Sequence, residues 1–380
     1  MLERPSILVH CQHSLGLGHL VRTFVLAGAF AQRFRVTVLC GGEVPETLPR
    51  PDALEVVPLP PLGGIDGPLV SRAGLDVRRE LERRREIVLS VFRARRPAAV
   101  VVELFPFGRR KLAGELVPLL EAARAAGSVT VSSVRDLLVT RDDDGRHDER
   151  ASLTANALLD SVLVHSDPRL FRLEESFRPR TRLRVPIHHT GYVVGAARGI
   201  QPERPAGGPR VVVSAGGGRV GGPLLRAAAD AHRLLDGVET TLVGGPFLPE
   251  AEWRSLPRVP GLRLRRSVRD LGAELTAATA SVSQCGYNTA LEVVSSGLPA
   301  LVVPFAAPGE DEQARRAARL ARLGAVRMLD PAALDGPRLA AEIRALLRFR
   351  PQPLDLDFDG AAASAQILED LVLTREAICA

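Results

Sequence analysis

The stretch Ser283 to Pro304, SQCGYNTALEVVSSGLPALVVP, leaves this chain few folds to choose from. Ala280 to Ser283 ends an apolar run of strand type, and Gly286 permits a tight turn after it. Asn288 or Thr289 is placed to cap a helix whose first turn carries Glu292. Gly297 stops that helix, and Pro299 opens a second apolar run ending at Pro304. Strand, helix and strand in this order make a βαβ unit, so the strands lie parallel. Glu292, and Gln313 after the second strand, then fall at the C-terminal edge of the sheet, where open α/β folds bind ligands. A carboxylate there suits the hydroxyls of a ribose, and an amide with a neighbouring acid suits those of a sugar. Read blandly, the same residues are the polar face of a surface helix.

The unit repeats on both sides of a linker. In the first half, apolar runs at Ser6–Cys11, Val36–Cys40, Leu54–Leu59, Ala98–Leu104, Ser128–Ser132 and Ser161–His165 read as buried strands. Helical patterns at Leu17–Gln32, Asp76–Arg96, Lys111–Ala126 and Arg150–Asp160 alternate with them. Gly195, Gly199, Pro202, Pro205, Gly207, Gly208 and Pro209 then cluster, as in a linker. The pattern restarts with strands at Arg210–Ser214, Glu239–Val243, Leu262–Arg265, Ala280–Ser283, Ala300–Pro304 and Val326–Leu329. Helices are expected at Pro223–Leu235 and Arg338–Leu347, and a last amphipathic one at Ala361–Ala377. The predicted class is α/β: residues 1–192 as one Rossmann-like domain, 193–209 as linker, 210–360 as a second, and 361–380 as a C-terminal helix.

Two cores of this size must be filled largely with Leu, Val and Ala, because hydrophobic residues are 46% of the 380 and aromatics only 4%. The net charge of +6 comes from arginine, Lys111 being the only lysine. No basic stretch is interleaved with aromatics to stack bases, so a nucleic-acid partner is not expected. The basic helix Arg78–Arg96 reads as a solvated face, with peripheral contact to anionic lipid as the alternative. Cys11, Cys40, Cys285 and Cys379 form no CxxC pair and suggest neither zinc nor disulfides. Asp142-Asp143-Asp144 reads as a solvated loop rather than a metal site. Met1 to Pro5 leads straight into a strand and no apolar run reaches the ~18 residues of a membrane span, so a cytoplasmic location is expected.

Four constellations carry chemistry. The first follows the first strand: His13, Gly16, Gly18, His19 and Arg22. Gly16 and Gly18 let the backbone approach a ligand, and the helix start offers free N–H groups to an anion. A neutral imidazole at His19, with His13 as the alternative, can take a proton from an attacking hydroxyl; packing or capping is the competing role. Arg22 is expected on an acid or a phosphate. The second is Gly216-Gly217-Gly218-Arg219, a nest of N–H groups before a helix, suited to a diphosphate with Arg219 as counter-charge. It lacks the Gly-Lys-Ser/Thr end of a Walker loop. The third is the turn around Val268. The fourth pairs Glu103 with Arg109, Arg110 and Lys111, and later Arg135 with Asp136. Both segments follow strands and can line an acceptor cleft, or simply be solvated helix starts. Asp136 is a candidate carboxylate for orienting a histidine base.

The segment from Val268 through Gly286, Thr289, Glu292, Gly297, Pro299 and Pro304 to Gln313 resembles the donor-binding signature of GT-B glycosyltransferases. It is most similar to the inverting, family-28-like group that includes the bacterial cell-wall N-acetylglucosaminyltransferase. A set of predicted glycosyltransferases sharing GLGHLVR, FPFGRR, GYNT and EDEQ resembles nearly the whole chain. The resemblance implies two Rossmann-like domains facing a cleft, with the last helix crossing back onto the first. It implies a UDP-sugar donor, no cofactor and an unspecified acceptor, with inverting, metal-independent transfer. His19 would be the base, and Gly216 to Gly218 would hold the diphosphate. Val268 would lie on the nucleotide base, Glu292 on the ribose, and Glu312 with Gln313 on the sugar. Glu312 stands where the cell-wall pattern carries a second Gln, which opens the donor's identity. A nucleotide-sugar hydrolase with a GxGHxxR motif, a UDP-sugar 2-epimerase and a non-catalytic nucleotide-sugar-binding partner are the rival readings.

Overall fold

The computed structural model describes residues 4–13, 17–46, 48–64, 68–141, 143–195, 208–305, 307 and 310–379. In the first half, strands β1 (Ser6–Cys11), β2 (Arg35–Cys40), β3 (Leu54–Pro58), β4 (Leu62–Gly63), β5 (Val70–Ser71), β6 (Ala99–Glu103), β7 (Val129–Arg135), β8 (Ser161–His165) and β9 (Ile187–His189) alternate with helices α1 (Gly18–Phe30), α2 (Val77–Arg95), α3 (Ala113–Ala125) and α4 (Arg146–Leu158). In the second, β10 (Arg210–Ser214), β11 (Glu239–Val243), β12 (Leu262–Arg265), β13 (Ala280–Ser283), β14 (Ala300–Val302) and β15 (Arg327–Met328) alternate with α5 (Gly222–His232), α6 (Glu250–Ser255), α7 (Leu271–Thr276), α8 (Tyr287–Ser296), α9 (Glu312–Arg322) and α10 (Gly336–Leu346). Helix α11 (Gly360–Cys379) ends the chain.

Two separate parallel sheets result, ordered β3-β2-β1-β6-β7-β8-β9 and β12-β11-β10-β13-β14-β15. Alternation along β1 divides its side chains between two faces. Leu8 packs with Val88, Phe92 and Leu116 of α2 and α3. Ile7 and Val9 pack with Leu20 and Phe24 of α1, and with Leu368 and Val372 of α11. The C-terminal helix therefore lies on the first sheet. Strand β10 repeats the rule: Val211 and Val213 face α5 and α10, and Val212 faces α8 and α9. That last cluster also takes in Leu137, Leu170, Phe171 and Tyr192, so apolar side chains join the two halves.

Several features differ from the sequence reading, the six-residue helices α6 and α7 among them. Gly286 is the N-cap of α8, which starts at Tyr287, so Asn288 and Thr289 lie inside the helix and Glu292 in its second turn. Residues 312–322, to which the sequence reading gave no helix, form helix α9, with Arg316, Ala317 and Leu320 on its buried side. The β4–β5 hairpin and β9 were not foreseen, since pieces of two or three residues carry no measurable period.

Candidate functional site

Both sheets change winding direction beside their first strand, β1 against β6 and β10 against β13. The loops leaving these strands open the crevices in which doubly wound sheets hold ligands. In the first sheet the crevice carries His13 and His19 from the β1–α1 side and Glu103 from the end of β6. His19 Nδ1 lies 2.6 Å from Glu103 Oε1, with the side chains 18% and 2% exposed. A carboxylate only accepts, so Nδ1 carries the proton and donates it, leaving Nε2 with a lone pair. Arg22 donates to the same Oε1 at 2.6 Å, and Arg109 Nε stands 3.6 Å from Oε2. Burial alone would raise the Glu103 carboxyl, but His19, Arg109 and Arg22 outweigh it and hold it ionised, well below the usual range. Burial holds His19 neutral, its pKa below the ordinary imidazole value; Glu103 opposes that shift and Arg109 adds to it.

His13 is 2% exposed, and its Nε2 has no hydrogen-bond partner. Its ring lies on Gly42, where an added Cβ would come within 2.4 Å of Nε2. Burial and then Arg109 lower its pKa to about 4. Gly16 lies outside the described residues. Gly18 faces the second half of the chain: its carbonyl accepts from Asn288 Nδ2 at 3.2 Å. The starts of α1 and α8 therefore meet across the crevice.

In the second sheet, β10 runs into Gly216-Gly217-Gly218. Gly216 and Gly218 have φ of 58° and 91°, which glycine adopts freely. A Cβ on Gly218 would sit 2.3 Å from Gly244 O, so the two loops interlock. The Arg219 guanidinium stacks 5.4 Å from the centre of the Phe247 ring. Helices α1, α5 and α8 begin without a side-chain cap, as do α3, α4, α6, α7 and α9, and Asp76 and Asp335 cap α2 and α10. Of these, the starts of α1, α5 and α8 leave N–H groups directed at the crevice. Val268 lies in the turn between β12 and α7, half-buried against the cluster that contains Leu291. Glu292 Oε2 is buried without a partner, and burial followed by the nearby Asp270 pushes its pKa up to about 7.

Helix α9 ties the halves together, and here one expectation needs correction. Asp136 holds no histidine: both its oxygens accept from Arg316, Nε and Nη2 each at 2.8 Å, and both side chains are 1% exposed. The guanidinium won because it matches two carboxylate oxygens at once, and Glu103 took the histidine. Glu312 forms an ion pair with Arg135 at 2.5 Å. Gln313 Oε1 accepts from Phe305 N at 3.1 Å, which fixes its amide. Thr289 is half-buried in the first turn of α8. Arg316 and Tyr287 were missed. Tyr287 donates from its hydroxyl to His165 O at 2.8 Å and accepts from Val193 N at 3.2 Å, with Arg22 and Arg316 at its ring. One arginine among many in α9 gives no sequence signal for such a role. Among the described residues, no cluster of three or more His, Cys, Asp or Glu is placed to hold a metal ion, and no helix is long and apolar enough to cross a membrane.

Residues 268–369 match the glycosyltransferase family 28 C-terminal domain. A UDP-N-acetylglucosamine–N-acetylmuramyl-(pentapeptide) pyrophosphoryl-undecaprenol N-acetylglucosamine transferase of Gloeobacter violaceus is 33% identical over 91 residues, 24% of this chain and 26% of that protein. An uncharacterized glycosyltransferase of Methanosarcina mazei is 28% identical over 170 residues, 42% of this chain and 43% of that protein. The chain thus spans about a quarter to under half the length of these curated relatives. Among solved structures, MurG of Acinetobacter baumannii aligns over 98% of this chain and 99% of its own, with TM-score 0.57 and 14% identity. The calicheamicin glycosyltransferase CalG4 aligns over 99% and 95%, with TM-score 0.58 and 19% identity. Its two parallel sheets and facing crevices give the chain the GT-B fold of these structures, and its residues 268–369 are similar to the family 28 C-terminal domain.

Proposed function

We propose that this protein is an inverting, metal-independent glycosyltransferase that moves a sugar from a nucleoside diphosphate, UDP by preference, to an acceptor hydroxyl or amine. The observation that carries the proposal is the His19–Glu103 pair at the start of α1, where the start of α8 meets it through Asn288 and Gly18. Residues 1–192 with 361–380 form the acceptor side and 210–360 the donor side. His19 Nε2 accepts the acceptor's proton as its oxygen attacks the anomeric carbon, and Glu103 steadies the imidazolium that forms. Attack from the face opposite the leaving group inverts the anomeric centre. The N–H groups of Gly216 to Gly218 and the start of α5 take up the charge of the departing diphosphate. Val268 packs on the base, Glu292 accepts from the ribose hydroxyls, and the free amide N–H groups of Gln313 serve the sugar beside Glu312. Asn288 and Thr289 line the donor side; Arg109 and Arg135 line the acceptor side.

UDP binding is tested by calorimetry, and UDP release from UDP-sugars is followed with and without candidate acceptors. The proposal expects UDP to bind and its release to require an acceptor and His19. Free sugar formed without acceptor would make the protein a hydrolase. UDP binding with no turnover under any acceptor would make it a binding partner. No UDP binding at all would overturn the donor assignment.

A further inference from the structure

Arg72 was not among the residues that motif and spacing singled out. It comes from the short β4–β5 hairpin, and the tertiary structure brings it to a small cavity between the two halves of the chain. His13, Gly42, Glu43 and Arg72 line that cavity from the first-sheet side, and Arg219 and Phe247 from the second. We propose that Arg72, His13 and Arg219 form an anion clamp across the crevice, closing on a phosphate-type group.

Three observations point to a ligand. First, His13 is 2% exposed, and its Nε2 lines this space without a hydrogen-bond partner. A buried polar atom with nothing to bond is costly unless something binds there. Second, Arg72 and Arg219 come from opposite halves, and neither side chain makes a hydrogen bond or ion pair among the described residues. They are near enough that Arg72, after burial, lowers the proton affinity of the Arg219 guanidinium, with only Glu43 opposing. Two like charges facing one cavity are unfavourable until an anion lies between them, and paired guanidiniums match phosphate oxygens. Third, both arginines are steered. Arg219 rests on the Phe247 ring, and Arg72 lies over Gly63, where an added Cβ would meet its Nε at 2.9 Å. Guanidiniums held this way are set for binding before a ligand arrives.

The part played by the clamp rests on the transferase reading. A phosphate-type group can reach it from the donor's diphosphate or from an anionic acceptor. Because Arg219 continues the Gly216 to Gly218 nest, the donor is the source we assign.

The test uses the full chain and calorimetry with UDP, uridine and inorganic phosphate, the last in the presence of saturating UDP. Arg72→Gln removes one charge-assisted contact and should weaken UDP by ~10-fold or more while leaving uridine unchanged. Gly63→Ala should displace Arg72 and give a smaller loss in the same direction. Arg72 is exposed, so its variant should melt with the wild type. If UDP affinity holds but phosphate binding to the UDP-saturated protein is lost in Arg72→Gln, the clamp stands with the acceptor as its source. If both affinities are unchanged, the clamp is overturned and the transferase reading survives. If the wild type does not bind UDP, that reading fails, and phosphate binding lost in Arg72→Gln would still support the clamp.

Discussion

His19 and Glu103 meet through one short hydrogen bond, Nδ1 to Oε1 at 2.6 Å, although 84 residues separate them in sequence. The bond selects the tautomer and leaves Nε2 as the acceptor of a proton. Removing a general base typically slows the chemical step by ~10²–10⁴-fold. His19→Ala should lower transfer by that factor with UDP affinity nearly unchanged, and His13→Ala should have a smaller effect. An exchange of the two results would make His13 the base.

The pH dependence has a definite sign. His19 is held below the ordinary imidazole value, so it is already in the basic form at pH 7. At saturating UDP-sugar, transfer should change little from pH 8 to pH 6.5 and fall only at lower pH, as the ring takes a proton. Glu103→Gln removes the one influence that raises the His19 pKa. The acid limb should therefore move lower still while the maximum rate drops, as read from a kcat profile. A limb that moves upward would show that Glu103 does not govern His19.

Glu292 offers an independent pH test. Its pKa of about 7 lies above the ordinary carboxyl value, so the folded protein holds a proton there that the unfolded chain releases earlier. This contribution to stability is present at low pH and is lost as pH rises through about 7. Ribose hydroxyls donate best to the ionised form, so UDP binding near neutral pH should release a proton. Calorimetry in buffers of different ionisation enthalpy reads that release. Glu292→Gln should abolish it and weaken UDP at least ~10-fold, since a charge-assisted bond is replaced by a neutral one.

The Asp136–Arg316 pair is 1% exposed on both sides and joins the two halves of the chain. Breaking a buried pair from one side typically costs ~3–5 kcal/mol, because the other charge is left unpaired. Asp136→Asn should lower stability by about that much in denaturant unfolding. Replacing both residues, Asp136→Leu with Arg316→Met, should be less damaging than either single change. A double variant worse than both would mean that the guanidinium's bond to Cys285 O, at 2.8 Å, matters more than the pair.

Gly218 has φ of 91°, and a Cβ there would press on Gly244 O at 2.3 Å. Gly218→Ala should disturb the nest and weaken UDP, whereas Gly216→Ala meets no atom within 4 Å and carries only the cost of its positive φ, ~1–2 kcal/mol. Calorimetry with the two variants separates clash from strain.

Much of this architecture is local physics and was readable in the chain. Apolar runs such as SILVHC and RVVVS, short and rich in β-branched residues, read as strands buried on both faces, and glycines mark the turns after them. Those patterns, with the spacing from Gly286 to Pro304, implied parallel sheets and placed candidate ligand groups at strand ends. Partner choice is not local. His19 reaches Glu103 because β1 pairs with β6 and not with the next free strand, with His10 set opposite Val102. Asp136 is taken by Arg316, 180 residues away, because α9 crosses to the first sheet and buries one arginine. Arg72 reaches Arg219 through a hairpin of two-residue strands with no period to read. Periodicity and turn chemistry act over a few residues, whereas a carboxylate's partner is decided by which elements pack together and which charge is left without water.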